Sequence, residues 1–275
     1  MLTDIFVPLL TYPDAETTGL IDAVIKLTAP LSADLEFCIF EVDIPAIAYS
    51  MGMEFIDVSS VIAEAEKLSH ATATRLESHI VSLGGANLTT SSVRMEEARI
   101  PHAATAMAQL RDLSIVQLLP NAIGQRHLAE ALIFGSGRPV LIMPDAAEIV
   151  GNIEHIAIAW DGSQAATRAV HDAIDLLAGA KTVTLLTALD DKTVENGAVI
   201  GLIGYLDRHG ITASHSDVHS SGISIGKALQ TSARDHGAGL LVMGAFGHSR
   251  IREFVLGGAT RSVLDQPMLP LFLSH

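Results

Sequence analysis

Cysteine is almost missing from this chain. One thiol, Cys38, stands among 275 residues, so no internal disulfide can form and the disulfide-stapled secreted folds are excluded. Cys38 lies in an apolar, strand-like run and reads as a core thiol suited to a reducing compartment. Long hydrophobic runs are missing too. The chain is 49% hydrophobic, yet charged or strongly polar residues interrupt every apolar run well short of the roughly 18 residues of a spanning helix. Asp4 and Pro8 break up the start, which lacks the basic, apolar and small-residue sequence of a secretory leader. Positive charge is scarce. Lys and Arg total 17 against 31 Asp and Glu, a formal net charge of −14. That balance disfavours nucleic acid and anionic membranes as partners. The expectation is a cytoplasmic protein that binds neither. No G-x-S-x-G elbow, no HExxH and no cysteine beside a His–Asp pair is present, so no catalytic residue is assigned.

What is present is alternation. The first half opens with a strand, Asp4 to Leu10, then a helix over about Glu16 to Ala29 and a strand over Leu35 to Val42. Asp43 to Ser59 reads as a loop or loop-helix insertion. A long amphipathic helix from Ser60 to Leu83 stops at Gly84-Gly85. Strands over Leu88 to Ala98, Leu113 to Leu119 and Pro139 to Met143 follow, with helices over Ala103 to Arg111 and about Gln125 to Phe134 between them.

The second half repeats the order. The strand Ile156 to Trp160 ends in Asp161-Gly162-Ser163, and Ser163 is a candidate N-cap for a helix through Leu177. Strands at Val183 to Leu189 and Ile211 to Val218 alternate with helices near Val194 to Arg208 and Ile223 to His236. Strands alternating with helices imply βαβ units and a parallel sheet. Placing the halves on each other gives 156 − 5 = 151 from Ile5 to Ile156 and 270 − 139 = 131 from Pro139 to Pro270. The first half is therefore longer by 151 − 131 = 20, mainly through the loop after its second strand. A duplication at this period means two tandem domains, drawn at 1–147 and 152–275 with a polar join near Asp145 to Asn152.

The stretch Leu240 to Leu273 organises the rest. A short apolar run ends in Gly244-Ala-Phe-Gly247, passes through His248-Ser-Arg250, and reaches a second pair, Gly257-Gly258, before a helix-compatible segment. Glycine after a buried strand lets a ligand approach the backbone, and free N–H groups at a helix start favour an anion. Turn glycines of an ordinary α/β domain are the plainer alternative. Arg250, Arg252 and Arg261 cluster around this stretch. In an open parallel sheet, ligands sit beyond the carboxyl ends of the strands where strand order reverses. Asp161, the end of the second strand at Ala188 and the glycine stretch converge there. His215, Asp217 and His219 alternate along one strand and so share a face; a polar strand face is favoured over a metal site, and no metal ligand is assigned.

Gly244, Gly247 and Gly257 resemble the G-2x-G-9x-G-(S/T) signature of the universal stress protein family, with Gly258 where ATP-binding members carry Ser or Thr and Thr260 matching a frequent hydroxyl position. The resemblance implies two tandem Rossmann-like domains of the adenine nucleotide alpha hydrolase-like type, each a five-stranded parallel sheet with helices on both faces. It implies an adenine nucleotide, ATP with Mg2+, in the second domain. Its residues would be Asp161, Ala188, Gly244, Gly247, His248, Arg250, Gly257, Gly258 and Thr260. Turnover beyond slow ATP hydrolysis is not indicated. The first half, with Leu10 in place of Asp161 and Pro120-Asn121 in place of the first glycines, resembles a degenerate domain without nucleotide. Members commonly pair through their last strands, so Pro139 to Met143 and Leu269 to Leu273 would form an internal pseudo-dimer. A further homodimer and an unidentified protein partner are compatible with the family. A ligand-free scaffold of the same fold is the alternative, and an ATP-dependent adenylating enzyme is disfavoured because Asp161-Gly-Ser-Gln164 is not its glycine-rich loop.

Overall fold

The computed structural model describes residues 2–44, 58–145, 153–189, 196–245 and 258–275. The expected insertion after the second strand falls largely on 45–57 and lies outside them. Contacts divide the chain into two compact units, 2–116 with 122–136, and 117–121 with 137–275.

The first unit holds β1 (Asp4–Leu10), α1 (Thr18–Thr28), β2 (Asp34–Asp43), α2 (Val58–Leu83), β3 (Leu88–Glu96), α3 (Ile100–Ala108), β4 (Leu113–Gln117) and α4 (Ile123–Gly135). Its strands run β3-β2-β1-β4 and are all parallel. Ile5, Phe6, Val7 and Leu9 of β1 are fully buried. An unbroken apolar strand is the pattern of a parallel sheet covered on both faces, and each such side chain contributes about 1.5–3 kcal/mol on burial. Pro101 sits in the first turn of α3, so that helix begins three residues before the expected Ala103, at a place where a missing N–H costs nothing.

The second unit holds β5 (Val140–Met143), β6 (His155–Ala159), α5 (Gln164–Asp172), α6 (Ile174–Gly179), β7 (Thr182–Ala188), α7 (Asn196–Arg208), β8 (Ala213–Val218), α8 (Ile225–Asp235), β9 (Leu240–Gly244), α9 (Gly258–Asp265) and β10 (Leu271–Ser274). Five of its strands form a parallel sheet in the order β10-β9-β6-β7-β8. β5 adds to β10 antiparallel, Leu141 opposite Phe272, so the two last strands pair as the resemblance implies. α5 packs over β9 and β10, and α8 lies against β7 and against α9. The helix expected from Ser163 through Leu177 is interrupted at Ala173, where ψ swings to 3° and α6 begins. The fold is α/β and Rossmann-like, and its strand order reverses between β6 and β9.

Candidate functional site

The geometry at that reversal starts from the end of β6. The Trp160 N–H still donates to the Leu186 carbonyl at 2.9 Å, and the chain then leaves the sheet. Asp161 Oδ1 accepts the Ser163 N–H at 2.9 Å, closing a short turn through Gly162. Gly162 has φ of 72°, the left-handed region that a Cβ would strain. Ser163 is the N-cap of α5, its hydroxyl accepting the Ala166 N–H at 3.1 Å. The cap expectation holds. Asp161 is exposed, so its carboxylate stands at the solvent-facing end of the strand while serving the turn.

Across the reversal, Gly244 ends β9. A Cβ built on it would stand 2.4 Å from Ala166 N and 2.5 Å from the Ala165 carbonyl carbon. Only glycine allows the first turn of α5 to sit on this strand end. The structure therefore brings the Asp161 turn, the α5 start and the Gly244 backbone into one place. Gly258 opens α9; it is exposed, and among the described residues nothing lies within 4 Å of the position its Cβ would take. Thr260, in the same first turn, is buried. Ala188 is the last residue of β7, half-buried, and opposite Val218 of β8. Arg261 lies 3.8 Å from Asp265 along α9. Gly247, His248, Arg250, Arg252 and Gly257 lie outside the described residues.

Residues 152–273 match the model of the universal stress protein family. That segment is a domain of the family. The whole chain is similar to a universal stress protein from Archaeoglobus fulgidus DSM 4304, with 12% identity over 98% of this chain and 97% of that one and a TM-score of 0.60. It is also similar to a putative universal stress protein from Pseudomonas aeruginosa UCBPP-PA14, with 16% identity over 99% and 93% and a TM-score of 0.58. At such identities the likeness establishes the fold alone. No curated protein matches the chain in sequence.

Several positioning contacts in the universal stress protein domain carry almost no sequence signal. α8 and α9 touch so closely that a Cβ on Gly226 would stand 2.4 Å from the Ala259 carbonyl oxygen, and the hydroxyls of Ser224 and Ser262 hydrogen-bond across the pair. Gln230, 1% exposed, donates to the Gln266 carbonyl at 3.2 Å and accepts the Met268 N–H at 2.7 Å. That buried amide ties the end of α9 to the approach of β10. A glutamine on the core face of an amphipathic helix was the one available hint. Thr187 bridges His215 Nε2 and Asp217 Oδ1, both at 2.8 Å, while His219 lies beyond the end of β8. Among the described residues no three His, Cys, Asp or Glu side chains come together as a metal site. Nor is any helix among them long and apolar enough to cross a membrane.

Proposed function

We propose that this protein binds an adenine nucleotide, ATP with Mg2+, in the domain spanning 152–275, and that it passes the bound state to a protein partner in the cytoplasm. One observation carries this reading: the Asp161 turn and the glycine-dependent seat of α5 on Gly244 meet at the strand-order reversal, where nucleotides bind in such sheets. The start of α9 at Gly258 suits a phosphate, because the N–H groups of a helix's first turn and the helix dipole favour negative charge. By the spacing of the family's motif, Gly247, His248, Arg250 and Gly257 would complete the phosphate side, with Thr260 supporting the first turn of α9 and Ala188 offering backbone to the base. The Asp161 carboxylate supplies hard oxygen for the nucleotide's hydroxyls or for the metal. Nothing in this set aligns a general base on a second substrate, so turnover is limited to slow hydrolysis. The first domain, 1–147, retains the fold without this set, and the two domains act as an internal pseudo-dimer that a homodimer could extend.

Isothermal titration with ATP is the test. Asp161→Ala should weaken binding about tenfold, roughly 1.4 kcal/mol, and Gly247→Val should abolish it. The lone tryptophan, Trp160, adjoins Asp161 and is mostly buried, so its emission should report the same event. A parent protein that takes up no ATP sinks this reading and leaves a scaffold of the same fold.

A further inference from the structure

The first unit has a cavity of its own at the carboxyl end of β1, about 260 Å3 in volume. Its walls are mostly apolar: Leu10, Tyr12, Pro13, Ile100, Pro101 and Leu128. Glu97, Ala98, Gly124 and His127 complete the lining. This is the position that ligands take in parallel sheets, yet its chemistry is unlike that of a phosphate site. Asp14 Oδ2 accepts the Gly124 N–H at 2.6 Å, so a carboxylate of the chain already occupies the start of α4. A Cβ on Gly124 would stand 3.1 Å from that oxygen and 3.7 Å from Leu10 and Pro13, so glycine keeps this wall open. Neither Lys nor Arg lines the cavity. Glu97 is exposed and has no ion pair among the described residues.

We infer that this cavity is a binding site for a small organic cation, an apolar body of about one ring carrying a protonated amine. Size sets the body. An apolar cavity of about 150 Å3 accepts benzene, whereas drug-sized ligands occupy roughly 300–1,000 Å3. Charge sets the head. Asp14 and Glu97 repel a phosphate or carboxylate, Glu97 attracts an ammonium, and Tyr12 adds a π-face on which a cation is favoured. The inference does not depend on nucleotide binding in the other unit.

Benzylamine, benzyl alcohol and benzoate have nearly one shape and three charges, and they are the probes. Titration of the full-length protein at pH 7, followed by saturation-transfer NMR, should give the order benzylamine, benzyl alcohol, benzoate, unchanged by saturating ATP. Ala98→Trp fills the cavity from its exposed rim and should abolish the benzylamine signal. Glu97→Gln is a surface change that leaves packing alone. It should reduce the preference of benzylamine over benzyl alcohol about three- to fivefold, the effect of one exposed charge pair. Benzoate binding as well as benzylamine, benzylamine binding undiminished by Ala98→Trp, or no benzylamine binding by the parent protein would each overturn the inference.

Discussion

The chain solves one position of one fold twice, and the two solutions differ in who supplies the negative charge. In the second unit the strand β6 leads into a carboxylate, Asp161, and no described residue closes the helix start at Gly258. In the first unit β1 ends in Leu10, and the helix start at Gly124 is closed by Asp14 from a loop 110 residues earlier. A helix N-terminus attracts an anion in either case. Where the chain provides its own, the site loses its reason to bind phosphate and keeps only the apolar space beside it. The difference lies in loop residues, while the strands beneath are alike in order and direction.

The comparison breaks most sharply at Gly244. Its Cβ would stand 2.4 Å from backbone nitrogen of α5, a contact that no side-chain rotation relieves. Gly244→Val should therefore cost about 3 kcal/mol, the upper range for overpacking, measured as a shift of the urea midpoint. Gly258→Ala meets no described residue and should be neutral or stabilise slightly, since alanine is the better helix former. Equal midpoints for the two variants would mean that α5 does not rest on β9 as described.

A second prediction tests the self-supplied charge. Glu16 is wholly buried beside the Asp14 loop; its Oε1 accepts from Gln125 Nε2 at 3.4 Å, and Oε2 has no hydrogen-bond partner among the described residues. Burial first, and the Asp14 charge second, hold its pKa well above the ordinary carboxyl range. With the folded value raised, the stability contribution is complete below the unfolded value of about 4.3 and is lost as pH rises through the folded value. Glu16→Gln removes that titration. Urea midpoints of the parent should fall relative to the variant as pH rises above the unfolded value of about 4.3, and parallel curves would show that Glu16 ionises in the fold as freely as in the unfolded chain.

Much of this architecture is legible in the chain because its signals are local. Buried parallel strands announce themselves as apolar runs and Ser163 as a cap by its place after a strand-end turn, while the pairing of the last strands comes from the family resemblance, their apolar character fitting a sheet interior equally well. The contacts that shape the two sites are not local. Asp14 meets Gly124 and Gln230 meets Met268 only because the sheet brings distant loops together, and neither residue type reveals its partner. Gly244 shows the same limit in another way. Its place in a spaced motif marks it as a ligand glycine, whereas its immediate physical requirement is the α5 backbone pressed against it.

The smallest effect separates nucleotide binder from scaffold. Gly258 lacks the hydroxyl that ATP-binding members of the family place at the start of this helix. Its backbone is not left-handed and no described residue lies within 4 Å of its Cβ position, so a serine fits there without moving any of them. A hydroxyl there supplies one more donor to a phosphate oxygen, and a net hydrogen bond contributes about 0.5–1.5 kcal/mol, or roughly two- to tenfold in affinity. Gly258→Ser should therefore tighten ATP binding by that factor and leave AMP unchanged, because AMP lacks the outer phosphates. Equal gains for ATP and AMP would mean that the helix start does not face the outer phosphates. No gain for either would mean that this helix start is not part of a nucleotide site, and the open amides at Gly258 would then be only a solvated helix end.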